Sequence, residues 1–155
     1  MQGMVRKIVV VSVLGVAAAA ALVAPARADE GAMKHRQSVM KAVGGHMGAM
    51  GSIVRGEVGF KEDLEGHAHA LAELAKIAPK VFPKGSNVKD SAALPAIWEK
   101  PDDFKLKLAS LATEAQKLVE VAKTKKGDMD AFKAQFGALG KNGCTGCHDD
   151  YRLKK

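Results

Sequence analysis

The sequence predicts an all-α fold, an antiparallel up-down-up-down four-helix bundle, and three observations carry that expectation. Four segments repeat apolar residues at three- and four-residue steps, the helical period. No window alternates apolar and polar residues with β-branched enrichment, so no strand is expected. Hydrophobic residues make up 47% but aromatic residues only 5%, so the core rests on Ala, Leu, Val and Met, which favour helices over a sandwich or barrel. With 155 residues, of which 26% are charged, the chain has the length of one ordinary domain and a globular composition.

The first 28 residues are read as a targeting segment. Arg6 and Lys7 form a short basic region, Ile8 to Val23 is an uncharged run rich in Val and Ala, and Ala26-Arg27-Ala28 is a small-x-small cleavage site. An uncleaved anchor is the alternative, against which Pro25 and the A-x-A ending argue. Cleavage after Ala28 leaves Asp29 to Lys155 as the working domain, with no stable membrane span. The whole chain carries a net charge of +7, of which Arg6, Lys7 and Arg27 supply three, leaving +4. That mildly basic surface has no block of like charge suited to nucleic acid. Export to the periplasm puts the two cysteines in an oxidising compartment.

The first helical segment spans about Ala32 to Arg55, with Met33, Met40, Val43, Met47, Met50 and Val54 as its stripe. Gly56 and Gly59 punctuate the chain. The second, about Lys61 to Ala78, carries Leu64, Ala68, Leu71, Ala75 and Ala78, and Pro79 ends or kinks it. Val81 to Lys100 is non-periodic. Pro101 opens the third helix in the favoured first-turn position, with Asp102 and Asp103 complementing the helix dipole. Its stripe is Phe104, Leu108, Leu111, Ala115, Leu118 and Ala122, and Gly127 stops it. Asp128 is the expected N-cap of the fourth helix, with Met129, Phe132, Phe136 and Leu139 facing inward toward a C-terminal end.

Chemistry enters at Cys144-Thr145-Gly146-Cys147-His148. C-x-x-C-H is the attachment signal for a c-type haem. Two thiols at this spacing can add to the two vinyl groups on one porphyrin edge, and the adjacent His is then held where its imidazole can bind iron. Both cysteines are thereby consumed, which accounts for thiols in an exported protein. A Cys144–Cys147 disulfide would close a very small loop and gain little. A thioredoxin-like site needs a βαβ context. Zinc needs further paired ligands, which His35, His46, His67 and His69 do not supply. One motif means one haem c per chain.

The sixth iron position must be faced from another helix. The Met stripe of the first helix is the source to weigh, since thioether sulfur is an axial ligand that raises the potential. Met at helical spacing is also adaptable core filler. Met33, Met40, Met47 and Met50 cannot all be ligands, and periodicity does not choose among them.

A helical bundle with C-x-x-C-H close to its C-terminus resembles the class II c-type cytochromes, the cytochrome c′ family. The resemblance covers essentially all of Asp29 to Lys155. It rests on Arg36-Gln37-Ser38-Val39-Met40-Lys41, Gly56-Glu57, Leu94-Pro95-Ala96-Ile97-Trp98 and the C-x-x-C-H-x-x-Y-R run ending at Arg152. It implies that Cys144 and Cys147 hold the haem and that His148 is the proximal ligand. It further implies that Arg36 and Gln37 lie against the haem and its propionates, that Met40 stands at the distal position, and that Arg152 sits beside the proximal face.

The family divides at that distal position. In the low-spin branch a first-helix Met bonds iron and the protein carries electrons. In the five-coordinate branch the distal side chain does not bond, and nitric oxide or carbon monoxide can. Lys41 and the Gly44-Gly45 pair resemble the low-spin branch. The expected function is therefore periplasmic electron transfer with His148 and Met40 as axial ligands. The alternative is a gas-binding protein with Met40 as a steric gate. Redox partner proteins are the implied partners, and family members are often homodimers through their first two helices. An enzyme is not expected, because no nucleophile, base pair or phosphate loop is evident and a distal Met offers no acid–base group.

Overall fold

A computed structural model describes residues 24–154, with side chains described from Asp29 onward. Residues 1–23, most of the expected leader, lie outside this range. Helix α1 spans Ala24–Val54, starting earlier than the apolar stripe suggested. Pro25 is tolerated in a first turn, and no second proline interrupts the helix. The helix ends in a Schellman turn. Gly56 at φ +75° sends its N–H to the Ile53 carbonyl, and the Glu57 N–H reaches the Ser52 carbonyl, both at 3.0 Å.

A 3₁₀ turn at Lys61–Asp63 leads into α2, Leu64–Ile77. Pro79 does not break the chain direction there but tightens Ala78–Val81 into a second 3₁₀ turn. The non-periodic stretch contains one short helix, α3 at Ala96–Glu99, too brief to show a period. Helix α4 spans Pro101–Thr124 and begins at the expected proline. Gly127 at φ +88° turns the chain, and Asp128 caps α5, Met129–Ala138, by accepting a hydrogen bond from the Ala131 N–H at 3.0 Å.

The fourth helix continues to Tyr151 in three parts: α5, a π-helical segment Leu139–Thr145, and α6, Gly146–Tyr151. The π segment was not expected. Gly140, Gly143 and Asn142 are weak helix formers that let the backbone widen, and such segments are frequent at functional sites. Among the described residues no strand forms, and the single β-bridge joins Ala93 to Arg152.

The core is centred on the α2–α4 pair. The apolar stripes expected for both helices are buried, from Leu64 to Ala78 and from Phe104 to Ala122. Three alanines on α2, Ala68, Ala72 and Ala75, let α4 come close. Met50 and Ile53 of α1 join the same cluster with Phe132, Leu139 and Tyr151. Helix α1 packs on α2, α2 on α4, and α4 on the fourth helix. The remaining side of the bundle is different. Among the described residues, α1 and the fourth helix have no comparable close packing, so they stand farther apart than ordinary helix pairs at 8–10 Å.

Gly143 fixes how near the π segment lies to α4. A Cβ there would stand 3.0 Å from Leu139 Cδ1 and 3.2 Å from the Leu111 Cα. The backbone of α4 cannot yield as a side chain does, so Gly143→Ala is expected to cost about 2 kcal/mol. Urea unfolding of both proteins checks this.

Candidate functional site

The π segment ends where the chemistry begins. Cys144 is near its last turn and Cys147 and His148 are on the first turn of α6, so the three come together on one helical stretch. The Gly146 N–H reaches back to the Lys141 carbonyl, the i−5 bond of a π turn. Both thiols are free and half-buried, and Cys147 packs against the main core. Burial pushes the Cys144 thiol up. It pushes Cys147 up to about 11, with the nearby Lys107 ammonium opposing. Neither is disulfide-bonded, and burial disfavours the thiolate form of both. His148 keeps an exposed surface, but desolvation of its covered part holds the imidazole below the ordinary histidine range. Arg152 adds to that lowering and Asp149 opposes it.

This donor set fits a c-type haem. Two thiols outside any disulfide and a neutral imidazole lie within five residues on one helical stretch. On α1, Met40 is half-buried at the edge of the core that Cys147 also borders. Met33 and Met50 are buried, and Met47 is half-buried like Met40. Gln37 is exposed.

Arg36 reaches across to the stretch before α3. At 4% exposure it is among the few buried charged residues. Its guanidinium donates to the Val81 carbonyl (3.2 Å), Ser86 Oγ (2.8 Å), the Ser86 carbonyl (2.9 Å) and Ser91 Oγ (3.0 Å). It also lies over the Phe82 and Trp98 rings, 5.2 and 5.9 Å from their centroids. Nothing in the sequence marked Ser86 or Ser91 as its partners, since both sit in the stretch without periodicity.

Arg152 follows α6 and is exposed. Its N–H bonds the His148 carbonyl at 3.2 Å. Two side-chain pairs that the sequence did not indicate also converge on this end. Lys107 pairs with Asp150 at 3.0 Å, and the Tyr151 hydroxyl donates to the Asp103 carboxylate. His46 of α1 and His67 of α2 share an Nδ1···Nδ1 hydrogen bond of 2.9 Å.

The Asp103 carboxylate, then burial, push the Tyr151 phenol up to about 12 from an ordinary 10. A raised phenol favours the folded state fully below pH 10 and loses that advantage as pH climbs toward 12. Tyr151→Phe is expected to cost about 1.5 kcal/mol near pH 7. The gap between the two proteins should then close across the alkaline range when urea midpoints are compared at several pH values.

A four-helix bundle that carries C-x-x-C-H on its last helix defines a class II c-type haem cytochrome. The family model described as Cytochrome C' matches residues 31–152, and the chain belongs to that family, binding haem c covalently through its two cysteines. It is 36% identical over 134 residues to cytochrome c-554 of Cereibacter sphaeroides, covering 83% of this chain and 98% of that protein. It is 37% identical over 126 residues to cytochrome c-556 of Agrobacterium tumefaciens strain II Chrys, covering 81% and 99%. Among solved structures it is similar to the nitric oxide complex of a mutant cytochrome c prime from Alcaligenes xylosoxidans. The TM-score there is 0.74 and the identity 31%, covering 82% of this chain and 97% of that one.

Proposed function

We propose that this protein is a periplasmic monohaem electron carrier in which His148 and Met40 are the axial ligands. The observation that carries the reading is the position of Met40. It is half-buried against the same core that Cys147 borders, whereas Met33 and Met50 are buried, and this supports the reading. When bound, haem supplies a one-electron iron couple whose potential depends on its ligands and surroundings.

The chain's own residues do the rest. Cys144 and Cys147 anchor the ring, His148 offers a neutral imidazole, and Met40 offers a thioether that is neither charged nor protic. None of the described helices is long and apolar enough to cross a membrane, which is compatible with a freely diffusing carrier once the leader is removed. The residual positive charge would aid brief docking to redox partner proteins of acidic surface.

The second reading is a five-coordinate protein that binds small gases, with Met40 as a gate. The nitric oxide complex of the Alcaligenes relative favours it. One pair of spectra separates the two. A near-infrared charge-transfer band of Met–iron ligation in the ferric protein, with ferrous protein indifferent to carbon monoxide, is the expected result. A high-spin ferric spectrum with ready carbon monoxide binding would overturn the electron-carrier reading.

A further inference from the structure

We propose that residues 81–98 act as a strap fixing the separation between Met40 and His148, and that Arg36 is the positioning residue anchoring it. The proposal rests on the assignment of those two residues to opposite faces of the haem. Helix α1 and the fourth helix lack close backbone packing with one another among the described residues, which leaves a connection through a third segment room to set their separation.

The strap is attached at both ends one helical turn from a proposed ligand. On α1, Arg36 lies four residues before Met40 and holds the strap with four hydrogen bonds of 2.8 to 3.2 Å. Ser91 Oγ, one of its acceptors, also accepts the Ala93 N–H at 3.2 Å. Two residues later the strap pairs with the end of α6. The Leu94 N–H bonds the Tyr151 carbonyl at 3.0 Å, and the Leu153 N–H bonds the Ala92 carbonyl at 2.9 Å. Tyr151 is three residues beyond His148.

A second path runs in parallel through rings. Arg36 lies over Phe82, Phe82 meets Phe104 edge-on at 4.8 Å, and Phe104 meets Tyr151 at 5.0 Å. Trp98 closes the strap on itself, its indole N–H bonding the Pro83 carbonyl at 3.0 Å. Both paths start at Arg36 and end at Tyr151, one through hydrogen bonds and one through ring contacts, and together they tie one turn of α1 to the end of α6. A buried guanidinium suits this task because its planar fork satisfies several acceptors at once, which a lysine ammonium cannot do in the same geometry.

The test uses the haem-loaded full protein and its Arg36→Met, Arg36→Lys and Ser91→Ala variants, with carbon monoxide affinity of the ferrous form as the readout. Arg36→Met is expected to raise that affinity at least about tenfold, equivalent to about 1.4 kcal/mol, with Arg36→Lys and Ser91→Ala smaller. The decisive comparison repeats Arg36→Met in a Met40→Ala background, where it should add nothing because Met40 is the group the strap positions. An equal effect in both backgrounds, or lowered thermal stability with unchanged affinity, would overturn the strap. If Arg36→Met fails to fold, Ser91→Ala carries the same comparison. The parent protein's own near-infrared spectrum reports separately on whether Met40 bonds iron. The double-variant comparison holds whether Met40 is a ligand or a gate, so the two ideas fail distinguishably.

Discussion

Replacing both thiols, Cys144→Ser with Cys147→Ser, is expected to abolish covalent retention of haem. On a denaturing gel stained for haem peroxidase activity the parent chain should stain and the double variant should not. Serine hydroxyls do not add to porphyrin vinyl groups as thiols do, and nothing else on this stretch offers a sulfur. Each single variant keeps one thioether and should still stain, at reduced yield. Haem that stays with the denatured double variant would show that the two cysteines are not the anchors. The unpacked side between α1 and the fourth helix adds a second expectation. Without the ring to fill that side, the double variant should unfold at lower denaturant concentration, because a group bound only by the native state stabilises it.

Met40→Ala should turn a low-spin, carbon monoxide-indifferent protein into a high-spin one that binds the gas. Carbon monoxide affinity should rise by two orders of magnitude or more, which corresponds to roughly 3 kcal/mol of lost ligand competition. The reduction potential should fall, because thioether ligation favours the ferrous state. Met47→Ala is the control. Met47 is two turns along the same helix and half-buried to a similar class, so its truncation should cost stability without moving the spectrum. Met40→Leu sharpens the contrast. It keeps most of the packing, with a cost below about 1.5 kcal/mol, yet removes the sulfur and should reproduce the spectral change. Were Met40→Leu to keep the near-infrared band, another residue would be the ligand.

Much of the fold was legible in the sequence because it is local. The α4 stripe from Phe104 to Ala122 and the α2 stripe from Leu64 to Ala78 repeat with the helical period, and every named position is buried. Pro101 and Asp128 start helices through their own backbone and side-chain chemistry, which needs no distant partner. The π segment was not legible. Gly140, Asn142 and Gly143 weaken a regular helix, but widening rather than breaking depends on Leu111 of α4 pressing close to Gly143. Arg36 shows the same limit. Its position in the Arg-Gln-Ser-Val-Met-Lys run tied it to the haem by resemblance, whereas its hydrogen bonds go to Ser86 and Ser91, some fifty residues away.

The candidate site divides along that line. The sequence by itself determined the chemistry of the proximal side, since two thiols and an imidazole at C-x-x-C-H spacing belong together on any helical turn. It also determined the four main helical segments and the faces of α2 and α4. Only the tertiary structure decided which α1 methionines are sealed in the core and which border it. Only it revealed the loose α1 side of the bundle and the strap from Arg36 to Tyr151. The reason is physical. Periodicity and motif spacing record what a residue does relative to its chain neighbours, whereas the separation of Met40 from His148 is set by contacts between segments that the sequence holds far apart.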